Sequence, residues 1–127
     1  MGKCILVVDD NAMNLHLAEH ALKEDSYEVI TAGSGAQGLD QLRNRMVDLV
    51  LLDIGMPIMN GIQMFEYIKK DHPEIPVIFL TASGDKKDVV EALKMGAVGY
   101  VIKPFVPKDL RERVAKVFEK KEEGSED

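Results

Sequence analysis

Leu49-Val50-Leu51-Leu52-Asp53 is an unbroken apolar run that stops on a carboxylate. Consecutive apolar residues without polar alternation suit a strand whose sheet is covered on both faces. Three further runs end in a similar way. Ile5-Leu6-Val7-Val8 precedes Asp9-Asp10, Val77-Ile78-Phe79-Leu80 precedes Thr81, and Tyr100-Val101-Ile102 precedes Lys103. If these runs are parallel strands of one sheet, the carboxylates, the hydroxyl and the amine converge on one edge. That is the edge at which open α/β sheets bind ligands.

Working outward, apolar runs alternate with amphipathic stretches five times. Strands are predicted at Cys4–Val8, Glu28–Ala32, Leu49–Leu52, Val77–Leu80 and Gly99–Ile102. The second, around Tyr27-Glu28-Val29-Ile30-Thr31, is more polar and reads as an edge. Helices are predicted between them. The first runs from about Asn14 to Glu24 with Leu15, Ala18 and Leu22 inward. In the second, Ser34 is the N-cap with Gln37 completing a capping box, and Ala36, Leu39 and Leu42 continue the apolar stripe. The third starts near Gly61, buries Phe65 and Ile68, and stops before His72-Pro73, because the residue before proline disfavours the α region. The fourth opens at Asp85, carries Val89 and Leu93, and ends at the C-cap glycine Gly96. The last runs from about Lys108 to Lys121 with Leu110, Val114 and Val117 inward.

A repeated βα unit implies a parallel sheet with right-handed crossovers. The predicted fold is α/β: a three-layer, doubly wound, five-stranded parallel sheet. With strand order 2-1-3-4-5, winding reverses between the first and third strands, and Asp9, Asp10 and Asp53 meet at that switch point. Residues 1–121 form one domain, followed by a polar, frayed tail over 122–127.

Composition narrows the function classes. The 127 residues suit one domain, and 46% hydrophobic content supplies a core without disulfides. A net charge of -6 argues against general nucleic-acid binding, which needs a basic footprint. The single cysteine, Cys4, cannot form an internal disulfide and fits a reducing compartment. No apolar run approaches the roughly 18 residues of a membrane span, and no signal-peptide pattern opens the chain. These features point to a cytoplasmic domain.

Three carboxylates in one crevice repel one another, so they raise a pKa or recruit a cation. All-oxygen donors select a hard ion, and a few carboxylates plus waters suit Mg²⁺. With open coordination positions such an ion can take a phosphoryl oxygen, while Lys103 neutralises a second and Thr81 hydrogen-bonds a third. Phosphoryl transfer asks chiefly for positioning and charge neutralisation. A carboxylate can itself become an acyl phosphate. Asp53, alone at a central strand end, is the natural acceptor, leaving Asp9 and Asp10 to the metal.

Two other patterns read as structural. His16 and His20 have the i, i+4 spacing of a metal pair, but no acidic third ligand stands beside them, and they read as a solvated helix face. Gly33-Ser34-Gly35-Ala36-Gln37-Gly38 fits the glycine pattern of a dinucleotide site. It follows the predicted edge strand, and a nucleotide reading leaves Asp9-Asp10, Thr81 and Lys103-Pro104 unexplained.

Over about residues 3–121 the chain resembles the receiver domain of bacterial two-component response regulators, the flavodoxin-like fold of the chemotaxis response regulator. The resemblance rests on Val8-Asp9-Asp10-Asn11, Asp53-Ile54-Gly55-Met56-Pro57 with Asn60-Gly61, Thr81-Ala82, and Lys103-Pro104-Phe105. It implies that Asp53 accepts phosphate from a phosphohistidine on a sensor histidine kinase or phosphotransfer protein. It implies Mg²⁺ bound by Asp10, Asp53 and the Gly55 carbonyl, with Asp9 acting through water or Lys103. Thr81 would swing toward the phosphoryl group, Tyr100 would rotate inward behind it, and the bond before Pro104 would be cis. Pro57, Gly61 and Pro104 would be structural. Ala82 is small, as access to an acyl phosphate requires, and Gly55 leaves water a path to it.

The reading is a signalling phosphoacceptor that assists its own phosphorylation and dephosphorylation, with an unknown output domain or protein, and no direct contact with nucleic acid or membrane. The chain fits either a stand-alone regulator or a receiver cut from a larger one. An alternative is a small phosphatase with an aspartyl-phosphate intermediate. Such enzymes want an acidic residue two positions after the nucleophile, where Gly55 stands.

Overall fold

A computed structural model describes residues 2–82 and 86–126, with side chains to residue 120. Its elements, in chain order, are β1 (Cys4–Val8), α1 (Ala12–Lys23), β2 (Glu28–Ala32), α2 (Gly35–Asn44), β3 (Leu49–Asp53), α3 (Gly61–Asp71), β4 (Val77–Ala82), α4 (Lys86–Lys94), β5 (Gly99–Lys103) and α5 (Pro107–Glu126). The strands form one parallel sheet in the order β2-β1-β3-β4-β5, with the polar β2 at one edge. This is the α/β architecture expected from the sequence.

Successive strand residues point to opposite faces, and the core divides accordingly. Leu6, Val8, Val50, Leu52 and Phe79 join Leu42, Phe65 and Ile68 of α2 and α3, with Ala92 of α4. Ile5, Val7, Leu49, Leu51, Ile78, Leu80 and Val101 join Ala18 and Leu22 of α1 and Leu110, Val114 and Phe118 of α5. Hence β1 and β3 are buried throughout.

Helix ends follow local chemistry, with departures from the sequence reading. Helix α1 begins two residues before the expected Asn14, because Asn11 caps it by accepting from the Asn14 amide at 3.1 Å. Ser34 does cap α2, but Gln37 does not complete a box: its side chain accepts from the Gly33 amide at 2.9 Å instead. The reciprocal capping box lies on α3, between Asn60 and Gln63, at 2.9 and 3.0 Å. Helix α4 ends in a Schellman arrangement: Gly96, at φ 111°, donates to Leu93 O, and Ala97 donates to Ala92 O. Glycine suits that left-handed backbone. The expected opening of α4 at Asp85 lies outside the described residues. Helix α5 continues to Glu126, beyond the predicted end at Lys121. Three of the five added residues, Glu122, Glu123 and Glu126, are good helix formers.

Inward faces also differ in places. Ala36 is exposed, and Gly35 and Gly38 are buried in its stead. A Cβ on Gly38 would lie 2.7 Å from Met64 Cε and 3.0 Å from Val8 Cγ2. These glycines admit side chains from neighbouring elements, which explains the pattern without a nucleotide. Leu93 is exposed and Ala92 takes its place in the core. Cys4, at the start of β1, is buried. No helix among the described residues is long and apolar enough to cross a membrane.

Candidate functional site

Strand register assembles the site. Val8 pairs with Leu52, so the next residues, Asp9 and Asp53, are neighbours at the sheet's C-terminal edge. Asp53 closes β3 opposite Leu80 of β4, and Ala82 lies opposite Lys103 of β5. Asp9, Asp53 and Thr81 are the buried polar residues among those described, while Asp10 is exposed. Carboxylate oxygens of Asp9, Asp10 and Asp53 all lie within 4.8 Å of one another. Among the described residues no other such group of acidic, His or Cys side chains occurs.

Lys103 reaches across β4 to this cluster. Its Nζ is 2.7 Å from Asp53 Oδ1 and 3.6 Å from Asp9 Oδ2. Burial pulls the Lys103 pKa down, but the hydrogen bond and charge of Asp53, together with Asp9, push it further up. The net shift is upward, so the side chain stays an ammonium at neutral pH. Asp53 Oδ1 also accepts from the Gly55 amide at 3.2 Å. The Thr81 hydroxyl donates to the Ala82 carbonyl at 3.1 Å.

The loop after β3 shapes the mouth. A Cβ placed on Gly55 would meet nothing within 4 Å, so the space above Asp53 is open there. Among the described residues, no backbone amide hydrogen-bonds the Gly55 carbonyl. Gly61 is different: a Cβ would lie 2.3 Å from Asp53 O and 2.8 Å from Ile54 Cα. Only glycine lets α3 start this close to the end of β3. Pro57 O accepts from the Met59 amide at 2.7 Å, which tightens the turn. The Lys103–Pro104 bond is cis, as expected.

Tyr100 stands apart from this cluster. It is half-buried on β5 opposite Phe79, its carbonyl accepts from Arg113 Nη1 at 2.9 Å, and its ring lies 5.7 Å from the Arg113 guanidinium. His16 and His20 stack on exposed turns of α1, with ring centroids 6.5 Å apart.

Two residues that hold Asp9 had no role assigned from the sequence, although Asn11 lies in the Val8–Asn11 motif. The Asn11 amide donates to Asp9 Oδ1 at 2.9 Å, and Asn14 Nδ2 donates to Asp9 Oδ2 at 3.2 Å. Apart from that motif, their sequence signal is a pair of asparagines three apart at the mouth of a helix, which reads as capping.

The donor set fits a hard divalent cation: three carboxylates and a carbonyl with no backbone amide on it, all oxygen, at a partly open site. A buried carboxylate beside one ammonium is also a suitable phosphoryl acceptor.

Comparison with known proteins agrees with this geometry. Residues 5–115 match the response regulator receiver domain family. The chain is 34% identical over 122 residues to the alkaline phosphatase synthesis transcriptional regulatory protein PhoP of Bacillus subtilis, covering 96% of this chain and 51% of PhoP. It is 40% identical over 114 residues to the DNA-binding response regulator MtrA of Mycobacterium tuberculosis, covering 90% of this chain and 50% of MtrA. The chain thus spans about half the length of these relatives. The CheY-like receiver domain protein of Methanospirillum hungatei superimposes with a TM-score of 0.91 at 31% identity, covering 98% of this chain and 99% of that one. The receiver domain of NtrX from Brucella abortus does so with a TM-score of 0.87 at 32% identity, over 91% and 98%. With its strand order, its acidic edge and the match over most of its length, the chain belongs to the response regulator receiver domain family.

Proposed function

We propose that this domain takes a phosphoryl group onto Asp53 from a phosphohistidine of a sensor histidine kinase or phosphotransfer protein. The supporting observation is the buried Asp53 carboxylate, held at 2.7 Å by Lys103 with Asp9 and Asp10 beside it. A free oxygen of Asp53 attacks the phosphorus. The P–N bond breaks, its electron pair stays on the imidazole nitrogen, and that nitrogen takes a proton from solvent. An acyl phosphate remains on Asp53.

The chain's own residues divide the charge. Asp10, Asp53 and the Gly55 carbonyl would hold Mg²⁺, with Asp9 acting through a water. When bound, the ion neutralises phosphoryl oxygens. Lys103 leaves its carboxylate contact for a second oxygen. Thr81 turns its hydroxyl from the Ala82 carbonyl to a third, and Ala82 keeps the approach open. Tyr100 follows Thr81 inward and alters the surface of α4, β5 and α5.

The output is a partner's binding rather than a diffusible product, so we read the domain as a signalling element and not an enzyme. The receiver unit is residues 1–121, followed by the polar stretch 122–127, of which 122–126 continue α5. We assign it to the cytoplasm, where the ATP that feeds histidine kinases resides. With a net charge of -6 the domain makes no direct nucleic-acid contact, and its output domain or protein is unidentified.

Acetyl phosphate with Mg²⁺ should label the protein, and Asp53→Asn should abolish the label. Full labelling of that variant would refute the assignment.

A further inference from the structure

Asp9 is fully buried, yet Lys103 leans toward Asp53, at 2.7 Å against 3.6 Å. Something else must satisfy Asp9. Asn11 and Asn14 do so as a unit. Asn11 spends its amide on Asp9 Oδ1 and its side-chain oxygen on the Asn14 amide. Asn14, tethered in this way, turns its own side-chain amide back onto Asp9 Oδ2. Lys103 approaches that same oxygen from the other side. A second donor there lowers the demand of Asp9 for the ammonium.

From these contacts we infer that Asn14 is a positioning residue: its side-chain amide fixes the Asp9 carboxylate and thereby leaves Lys103 on Asp53. The inference rests on the proposed Mg²⁺-dependent phosphoacceptor role of the carboxylates. Without Asn14, Asp9 loses a donor, rotates, and draws Lys103 away from Asp53. The acidic cluster is then mis-set for a cation, and partners that orient metal-site groups typically contribute about 10- to 100-fold in affinity.

The test uses the intact chain and Asn14→Ala. Alanine is the better helix former, so a merely helical role for Asn14 predicts unchanged or improved behaviour. Mg²⁺ affinity is read by NMR titration of the Gly55 amide, and α1 integrity by hydrogen exchange of its amides. The expected result is Mg²⁺ binding weakened by about tenfold with α1 protection retained. In metal-free protein, the stability effects of Asn14→Ala and Lys103→Met should also be non-additive, since both groups meet Asp9 Oδ2. Unchanged Mg²⁺ affinity, or weakening that appears only with loss of α1 protection, overturns the inference. Failure of the underlying reading looks different: the wild type itself would show no Mg²⁺ response, or Asp10→Asn would leave it intact.

Discussion

Replacing Lys103 by methionine keeps the length of the side chain and removes its charge. In metal-free protein this leaves Asp9 and Asp53, both buried, without the ammonium that sits 3.6 and 2.7 Å from them. Removing one partner of a buried ion pair costs about 3–5 kcal/mol. The Lys103 side chain is 20% exposed, so water offsets part of the loss. A value near the lower limit, about 3 kcal/mol, follows. For a domain of this size that is a fall of about 10 °C in Tm. Saturating Mg²⁺ should recover most of it, because a divalent cation replaces the missing charge. It should also stabilise the variant more than the wild type, in which Lys103 already occupies an Asp53 oxygen. The pH dependence has a definite sign. The folded Lys103 pKa is raised, so its contribution is complete below the unfolded value of about 10.4 and is lost as pH rises through the folded value. The gap between wild type and variant should therefore be flat across neutral pH and close only in strong alkali. Thermal melts with and without Mg²⁺ measure all of this. Equal melting temperatures in metal-free buffer, or equal Mg²⁺ stabilisation of both proteins, would refute the reasoning.

Other perturbations separate the roles of neighbouring residues. Gly61→Ala should cost about 2–3 kcal/mol in urea denaturation, the upper part of the range for overpacking, because its Cβ meets backbone at 2.3 Å. Gly55→Ala, with nothing within 4 Å, should stay within about 0.5 kcal/mol of wild type. Gly55→Arg should shield the acyl phosphate from water and slow phosphate loss; identical decay rates would show that access is set elsewhere. Asn60→Ala removes the side-chain oxygen that accepts from the Gln63 amide, while the residue-60 amide can still donate to Gln63, and should cost about 1 kcal/mol in the same urea assay. Burial first, then the charge of Glu28, hold the Cys4 thiol above its ordinary pKa, so a thiol reagent at neutral pH should modify native protein far more slowly than unfolded protein.

What the sequence revealed follows from what each residue does. Leu49–Leu52 and Ile5–Val8 read correctly because a strand buried on both faces admits no polar residue, and their order placed Asp53 beside Asp9. Lys103 was assigned to the cluster from its strand-end position alone, and its side chain does span β4 to reach it. Leu93 misled because helix periodicity cannot tell which of two apolar neighbours faces the sheet; the smaller Ala92 does. Ala36 misled because buried Gly35 and Gly38 carry no hydrophobic signal, their burial being created by Met59 and Met64 from elsewhere in the chain. Asn14 was missed because its contact with Asp9 depends on a helix beginning two residues before it, at Ala12. Gln37 was misassigned because its side-chain oxygen accepts from the Gly33 amide, one residue before the N-cap, and the sequence does not say which amide donates to it.

The most direct test of the phosphoacceptor assignment is to locate the phosphoryl group itself. Borohydride reduces an aspartyl phosphate to homoserine, so protein treated with acetyl phosphate and Mg²⁺, then reduced and digested, carries a mark readable by peptide mass spectrometry. The mark should fall on residue 53, in the peptide containing Leu49–Asp53. A mark at Asp9 or Asp10 instead, or an acid-labile phosphate on His16, His20 or His72 with none at Asp53, would contradict the assignment.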